Sequence, residues 1–444
     1  MEGTNTFLSI YFMTNLRIFY YSFFMLCAFL SLTIQAQFKN IKIDEALGTL
    51  GPCEPSIAIS PANPDKIVAG AVLDRVYHST DGGETWKSAI LQSEYGVWGD
   101  PCIVANAKGD FFYFHLSNPE KNGWSSERLL DRIVCQKSGD GGESWNTGSF
   151  TGLDHPKDQD KEWATANLQN NALYLTWTQF DLYNSTSPDD STNILFATSA
   201  NSGDTWSNPL RINELAGNCL DDDLAVEGAT PTVGPNGEIY VAWSRGNRIY
   251  FDRSVDSGKS WLQNDKKVVQ QKAGWNIKIP GIGRANAMPV TGCDISNGIY
   301  NGRIYINYAD QKVENENTDI WLVSSDDGGE SWSSPIRVND DSTETHQFFH
   351  WLAVDPVTGY LYVVFYDRRN FTDNQTDVYL AYSTDGGKHF TNVKISESPF
   401  TPKNDVFFGD YNNISAYNGK VRPIWTRQEG RKLSIWTALI DFVD

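Results

Sequence analysis

One eight-residue pattern recurs along the chain, and its clearest copy reads SGDGGESW at residues 138–145. Its general form is Ser-x-Asp-x-Gly-x-x-Trp. The other five copies occupy residues 79–86, 199–206, 254–261, 325–332 and 383–390. Asn201 replaces the aspartate in the third copy, and Phe390 replaces the tryptophan in the sixth. Six copies make chance agreement negligible, so the chain is built from internal repeats.

Each position of the pattern has a physical role in a tight turn. The Asp or Asn side chain can accept hydrogen bonds from backbone N–H groups of its own turn, and glycine permits a positive φ. The aromatic ring can fold back and fill the space between neighbouring sheets. The pattern therefore predicts a stapled hairpin, and its acidic residues should not be counted as catalytic carboxylates.

The spacing of the repeats predicts the number of structural units. Five steps separate Asp81 from Asp385, which gives a mean spacing of about 61 residues. The 408 residues after position 36 then hold about 6.7 units. Short apolar runs such as SIAI at 56–59 and IVAG at 67–70 precede each pattern, as expected for four strands per unit. We predict an all-β, seven-bladed β-propeller, with six blades as the alternative.

The last unit is incomplete at its outer edge. Apolar runs at residues 411–417, 421–425 and 433–439 provide three strands, and no fourth follows. Residues 38–43 are predicted to supply the missing strand. Such pairing of the two chain ends in one blade would leave no open sheet edge at the seam of the ring.

The repeated pattern resembles the Asp box of sialidases and related BNR-repeat propellers, and its copies are called boxes below. The resemblance implies that each box joins the third and fourth strands of a blade, on the face opposite the active site. It also implies a secreted bacterial glycoside hydrolase, similar to an exo-sialidase, that acts on extracellular glycans.

The N-terminal residues differ in composition from the repeats. Arg17 precedes an uncharged apolar run at residues 18–34, and Ala36 follows as a small residue for cleavage. We predict a signal peptide over residues 1–36 and a single propeller domain over 37–444. A membrane anchor is the alternative, but 17 residues are at the short limit for a span. The predicted product is secreted, either extracellular or periplasmic, without membrane insertion after cleavage.

Charge and cysteine content restrict the partners. The formal net charge is −19, and no basic stripe interrupts the acidic composition, which argues against a nucleic-acid partner. Five cysteines follow position 36, so at least one is unpaired or bonded to another chain. Bridges between Cys53 and Cys102 and between Cys219 and Cys293 are predicted.

Function is expected on the face opposite the boxes, at the mouth of the central channel. The loops that enter each first strand are rich in polar and aromatic residues: Glu54 and residues 95–100, 155–163, 221–227, 275–284, 346–351 and 408–411. Trp351, Asp367 and Arg368 are candidate substrate-binding residues there. A salt bridge between blades is the structural alternative for Asp367 and Arg368.

The sialidase resemblance assigns further roles on this face. Sialidases hold the substrate carboxylate with three arginines and use a Tyr nucleophile assisted by Glu, with an Asp as acid/base. The segment EGATP at 227–231, beginning with Glu227 and followed by Arg245, resembles the sialidase Glu strand with its downstream Arg. Arg284 resembles another member of the arginine triad. Tyr411 is the candidate nucleophile, and Asp410 is the third candidate catalytic residue.

Two other functional classes remain open. A polysaccharide lyase acting on uronate-containing glycans would use His155, His350 or Tyr411 as base, with Arg284 on the uronate. A non-catalytic propeller would bind glycan or protein partners. No cofactor is required by either reading, and the histidines are too scattered for a zinc site. Calcium is a candidate ligand of the three consecutive aspartates at 221–223.

Overall fold

The computed structural model describes residues 38–47, 51–312, 314 and 316–442. Within these ranges the chain forms β-strands, and its only helical element is a short 3-10 turn at Gly123–Ser125. No helix in these ranges is long and apolar enough to cross a membrane. The signal peptide predicted for residues 1–36 lies outside the described residues.

The described strands form seven antiparallel sheets, which are the seven predicted blades. In chain order, β1 to β29 are Asn40–Leu47, Ser56–Ile59, Ile67–Ala71, Arg75–Ser79, Lys87–Ile90, Cys102–Ala105, Phe111–Leu116, Ile133–Ser138, Ser149–Thr151, Asp158–Ala166, Leu173–Phe180, Thr192–Ser199, Leu210–Arg211, Glu227–Val233, Ile239–Arg245, Arg248–Ser254, Lys266–Gln270, Val290–Cys293, Ile304–Gln311, Thr318–Ser325, Ile336–Arg337, Gln347–Val354, Leu361–Asp367, Asp377–Ser383, Thr391–Lys394, Asn413–Tyr417, Lys420–Glu429, Lys432–Ala438 and Ile440–Asp441. Blades 1 to 6 take four consecutive strands each, from β2 to β25. The prediction of an all-β propeller with seven blades is confirmed.

Blade 7 joins the two ends of the chain. It has the order β1-β28-β27-β26, with β29 paired to β27. Asn40 pairs with Ala438 and Leu47 pairs with Lys432, so the N-terminal segment is the outer strand, as predicted from residues 38–43. The first strands of successive blades contact one another around the whole ring, and β26 contacts β2 to close it.

All six boxes form the same turn between the third and fourth strands of a blade. In the first box, Ser79 Oγ donates to Asp81 Oδ1 at 2.8 Å, and the Gly83 amide donates to Ser79 Oγ at 2.9 Å. The Thr85 amide donates to Asp81 Oδ1 at 2.9 Å. The equivalent three bonds recur in the other five boxes.

The boxes also pack neighbouring blades together. The box ring Trp261 meets Phe196 of the preceding blade at 5.0 Å between centroids, and Trp332 meets Phe251 at 5.1 Å. A Cβ on Gly258 would lie 2.2 Å from the Phe196 ring, and its φ of 85° is also disfavoured for other residues. Glycine at this box position therefore lets the turn lie directly on the adjacent sheet.

The predicted disulfides are wrong. All five described cysteines, Cys53, Cys102, Cys135, Cys219 and Cys293, are buried free thiols. Cys102 lies on the first strand of blade 2, where its Sγ accepts the Ala164 amide of blade 3 at 3.3 Å. Cysteines in this ring pack as small apolar residues, since sheet pairing already fixes the blades.

Candidate functional site

A cavity of about 560 Å³ opens on the face opposite the boxes. Strands alternate in direction within each blade, so loops entering the first strands lie at the other end from turns leaving the third strands. The cavity walls come from the entering loops of blades 1, 2, 3, 5 and 7 and from nearby connections. The charged residues that line it are Glu54, Asp100, Asp160, Lys161, Arg284 and Asp405.

A shared backbone conformation aims several side chains into this cavity. Glu54, Asp100 and Lys161 have φ values of 52°, 49° and 54°, a region that non-glycine residues seldom adopt. They occupy equivalent positions at the start of the first strands of blades 1, 2 and 3. Phe349 in blade 6 and Gly409 in blade 7 continue the series, with φ values of 48° and 95°. Lys161 lies in a β-bulge of β10, and such bulges redirect side chains.

Two cations and three carboxylates form a connected network beside the cavity. Lys161 Nζ lies 3.3 Å from Asp100 Oδ2 and 3.1 Å from Asp410 Oδ2. Arg284 Nε donates to Asp410 Oδ1 at 3.0 Å, and its Nη1 donates to Asp221 Oδ2 at 2.7 Å. Burial opposes ionisation of Asp410, but Arg284 and Lys161 hold its pKa below the usual value. Asp410 is therefore the buried counter-ion of both cations.

The pKa of Glu54 shifts in the opposite direction from that of Asp410, although the two residues are in contact. Glu54 Oε1 accepts the Asp410 amide at 2.9 Å, and Glu54 is 2% exposed. Burial, reinforced by the charges of Asp100 and Asp410, raises the pKa of Glu54 well above its usual value. The environment thus favours a protonated carboxyl group on the cavity wall.

A second carboxyl in the cavity is also pushed toward its neutral form. Burial raises the pKa of Asp160 to about 6. Its Oδ1 accepts the amide of Lys161 at 2.9 Å. Across the cavity, the Tyr183 hydroxyl donates to Asp221 Oδ2 at 2.7 Å, so this aspartate bridges Tyr183 and Arg284.

Tyr411 and Trp351, two predicted site residues, lie within the central channel. Together with Trp163 they come from blades 7, 6 and 3, and their rings meet with centroids 4.2 to 6.2 Å apart. The Tyr411 hydroxyl is buried and makes no hydrogen bond to any described residue. Burial raises the pKa of Tyr411 well above its usual value. The three rings therefore pack against one another between blades 3, 6 and 7.

Glu227 lies deeper than the cavity wall. It begins β14 and is 1% exposed, and neither of its carboxyl oxygens has a hydrogen-bond partner among the described residues. Burial raises its pKa well above the usual value. Asp221, Lys161 and Arg284 act on it electrostatically, so it belongs to the same charged region without lining the opening.

Among the predicted arginines, Arg284 lines the cavity and Arg245 does not. Arg245 ends β15, and its Nε donates to the Ala216 carbonyl at 2.9 Å. Arg284 reaches Asp410, so two of the predicted residues from blades 5 and 7 are in direct contact. The structure therefore brings one predicted arginine to the cavity wall.

Asp367 and Arg368 serve local contacts in blade 6. Asp367 Oδ2 accepts a bond from Arg369 Nε at 2.8 Å, not from Arg368. Arg368 Nη1 donates to the Pro280 carbonyl at 2.8 Å, and its guanidinium lies 5.1 Å from the centre of the Phe348 ring. Burial lowers the pKa of Arg368 to about 10. Arg368 thus holds the entering loop of blade 5 against blade 6.

The three consecutive aspartates have separate partners. Asp222 Oδ1 accepts the Leu224 amide, and Asp223 Oδ1 accepts the Asn276 amide, each at 2.9 Å. In the described ranges, no group of three or more His, Cys, Asp or Glu side chains is arranged to hold a metal ion. Calcium binding at 221–223 stays a prediction.

Asp100, Asp160 and Lys161 were not singled out from the sequence, although the predicted entering loops contain all three. A usable signal was present in two blades, where Glu54 and Asp100 each precede a proline that leads into the first strand. Lys161 has no such mark, because its role depends on the bulge in β10.

Comparisons with known proteins concern the fold. No family model matches the chain, and neither does any curated protein. The NanB sialidase of Streptococcus pneumoniae in complex with 2-[(3-chlorobenzyl)ammonio]ethanesulfonate is similar at 9% identity and a TM-score of 0.49, with 92% of this chain and 98% of that chain covered. YCF48 bound to D1 peptide is similar at 14% identity and a TM-score of 0.47, with 93% of this chain and 100% of that chain covered. The leech intramolecular trans-sialidase is similar at 11% identity and a TM-score of 0.48, with 76% of this chain and 67% of that chain covered. The predicted β-propeller fold is confirmed by the seven antiparallel sheets of the described residues, six of them four-stranded and one five-stranded.

Proposed function

We propose that the protein is a secreted glycoside hydrolase that acts on neutral extracellular glycans. The observation that carries the proposal is the pair of unlike carboxyl groups at the cavity. Glu54 is held toward its protonated form, whereas Asp100 faces the Lys161 ammonium at 3.3 Å. Glycosidases need one carboxylic acid to protonate the leaving oxygen and one carboxylate to attack or to activate water.

Glu54 is the proposed general acid. Its raised pKa keeps a proton available at the pH where an isolated glutamate would have lost it. The bond from the Asp410 amide to Oε1 fixes the carboxyl group and leaves the other oxygen for the substrate. Asp100 is the proposed base or nucleophile, and Lys161 positions it through the 3.3 Å contact between Nζ and Oδ2.

The preference for a neutral sugar follows from how the cations are used. Arg284 already bonds Asp410 and Asp221, and Lys161 lies between Asp100 and Asp410. An incoming carboxylate would have to compete with these carboxylates for both cations. Arg245 and Arg368 bond backbone carbonyls and do not line the cavity, so among the described residues Arg284 is the one arginine on the cavity wall, where a sialic acid would need three.

The two alternatives have less support. A lyase needs a base that can lose its proton, but burial raises the pKa of Tyr411. His350 is buried and does not line the cavity, and its Nε2 lies against the Asn307 carbonyl at 3.2 Å. A purely binding propeller would use the same cavity, so it is separated from the hydrolase by turnover alone.

A glycan screen with a single matched variant tests the proposal. Neutral, uronate-containing, sulfated and sialylated glycans would be incubated with the wild-type protein and with Glu54→Gln. New saturated reducing ends from neutral glycans, lost in Glu54→Gln, would support hydrolysis. Release of sialic acid at the same rate by the wild-type protein and by Glu54→Gln would overturn the proposal. Unsaturated uronate products would overturn it as well. Binding of intact neutral glycan with no turnover would assign the binding propeller instead.

A further inference from the structure

A tryptophan stands largely in water at the rim of the cavity. Trp124 lines the opening, and the residue is 70% exposed. An exposed indole of this size leaves much apolar area in contact with solvent, which is unfavourable. Isolated exposed apolar residues need no explanation, but this one adjoins a cavity and is held in place.

The loop that carries Trp124 is fixed by its own hydrogen bonds. Asn118 organises it, since its Oδ1 accepts the Gly123 amide at 3.3 Å and the Ser126 hydroxyl at 3.1 Å. The Lys121 amide donates to the Asn118 carbonyl at 3.0 Å, and the Ser126 amide donates to the Gly123 carbonyl at 2.8 Å. The ring is thus presented by a defined turn at Gly123–Ser125.

Gly123 lets this turn lie directly on a second tryptophan. Its φ is 54°, and a Cβ there would come within 2.5 Å of the Trp98 ring. The Trp98 and Trp124 rings are nearly perpendicular, at 88° with centroids 5.9 Å apart. This edge contact holds Trp124 while most of its surface stays exposed.

The aromatic surface continues into the cavity. Trp124 and Tyr183 have centroids 6.2 Å apart with planes inclined by 31°, and both line the cavity with Trp98. Phe407 also lines the cavity and is 36% exposed, and the Arg284 guanidinium lies 5.8 Å from the centre of its ring. The cavity lining therefore offers several aromatic rings together with its carboxyl groups.

We infer that Trp124 is a sugar-binding platform outside the cleavage point, and that the substrate is an oligosaccharide or polysaccharide rather than a single terminal sugar. The inference rests on the proposed function. The C–H face of a pyranose packs on an indole face, and its hydroxyls remain free to bond polar groups nearby. A fixed platform lowers the entropy lost on binding, which is the advantage of the hydrogen-bonded turn.

Chain-length dependence of binding tests the inference. Glu54→Gln would be titrated with cello-, manno-, xylo- and N-acetylchito-oligosaccharides of one to six units, followed by tryptophan fluorescence and calorimetry. We expect Kd to fall by about tenfold or more as the oligomer reaches the rim. Trp124→Ala in the same background should remove most of that gain, and Trp124→Phe should restore most of it. Ile299→Ala, an exposed residue remote from the cavity, is the matched control.

The outcomes separate this inference from the proposed function. A Kd that is independent of chain length in every series would overturn the platform, as would an unchanged length dependence in Trp124→Ala or failure of all four series to bind. Length-dependent binding that needs Trp124, without hydrolysis by the wild-type protein, would retain the platform and reject the hydrolase. Hydrolysis by the wild-type protein, with a Kd that does not depend on chain length, would retain the hydrolase and reject the platform. Equal melting temperatures of Trp124→Ala and Ile299→Ala would show that loss of the gain in affinity does not come from unfolding of the propeller.

Discussion

Carboxyl groups stand at both ends of the propeller, in the boxes and around the cavity, and the pKa values of Glu54 and Asp160 at the cavity move in the opposite direction from those of the box aspartates. Asp256 in the fourth box has its pKa lowered to about 2, because the Ser260 hydroxyl and amide donate to it. At the other face, burial raises the pKa of Glu54 well above its usual value and that of Asp160 to about 6.

The difference teaches that residue type alone does not distinguish structural from chemical carboxylates. A box aspartate lies at the surface and is surrounded by N–H and O–H donors, which stabilise its charge. Glu54 receives one amide bond and faces two other carboxylates in a buried setting. The first arrangement suits a turn staple, and the second suits a proton donor.

The largest expected effect is on turnover. Glu54→Gln keeps the oxygen that accepts the Asp410 amide but cannot donate an acidic proton. We expect kcat on a neutral glycan to fall by about 10²- to 10⁴-fold, the usual contribution of general acid catalysis. Glu227→Gln is the matched control, because Glu227 is equally buried but does not line the cavity. If Glu227→Gln abolished turnover and Glu54→Gln spared it, the roles would be reversed.

A box aromatic should affect stability and leave chemistry intact. Trp145 packs edge-on against Tyr113, with centroids 5.9 Å apart. Trp145→Ala should lower the free energy of unfolding by about 3 kcal/mol, at the lower end for a large aromatic because the ring is half-buried. Urea unfolding measures the loss, and kcat on a neutral glycan is the control. Normal stability with lost turnover would mean that the two faces have been confused.

The protonation of Asp160 should appear in the pH dependence of stability. Its folded pKa of about 6 lies above the unfolded value of about 3.9, so the folded state binds more protons between them. This contribution to the free energy of unfolding is present below pH 4, and about 3 kcal/mol of it is lost as pH rises through 6. Position 160 cannot ionise in the Asp160→Asn variant. The difference in free energy of unfolding between this variant and the wild-type protein should therefore grow as pH rises from about 4 to about 6. Parallel curves would refute the shift.

The smallest expected effect concerns a box aspartate. Asn201 already replaces Asp in the third box, where its Oδ1 accepts the Thr205 amide at 3.0 Å. Asp140→Asn should therefore cost less than about 1 kcal/mol at neutral pH. The lowered pKa of Asp140, about 2, stabilises the protein above the unfolded value and is lost as pH falls toward 2. Asp140→Asn should consequently weaken the dependence of the free energy of unfolding on pH below the unfolded pKa. An unchanged dependence would argue against the hydrogen bonds that Ser144 donates to Asp140.

The fold followed from the sequence because its signals are local and repeated. The box needs a carboxyl or amide oxygen, a glycine and an aromatic ring within eight residues, and six copies fix the period. The missing outer strand of blade 7 pointed to the N-terminal segment, where β1 pairs with β28. The disulfide pairing failed because sequence spacing says nothing about whether two sulfur atoms can meet.

The site was less accessible to sequence reasoning, since it depends on which side chains a bulge turns inward. Arg284 and Asp410 were named in advance, and they meet across blades 5 and 7. Lys161 was overlooked, because a lone lysine in a strand is normally solvated. Its burial results from a positive φ and a bulge, which no residue pattern at that position announces.

The central claim, that Glu54 carries a proton while the box aspartates do not, can be measured directly by difference infrared spectroscopy. At pH 6, the spectrum of the wild-type protein minus that of Glu54→Gln should contain the C=O stretch of a protonated carboxylic acid. The spectrum of wild-type minus Asp256→Asn should contain carboxylate bands alone. A carboxylate band with no acid band in the Glu54 difference would contradict the account and remove the proposed proton donor.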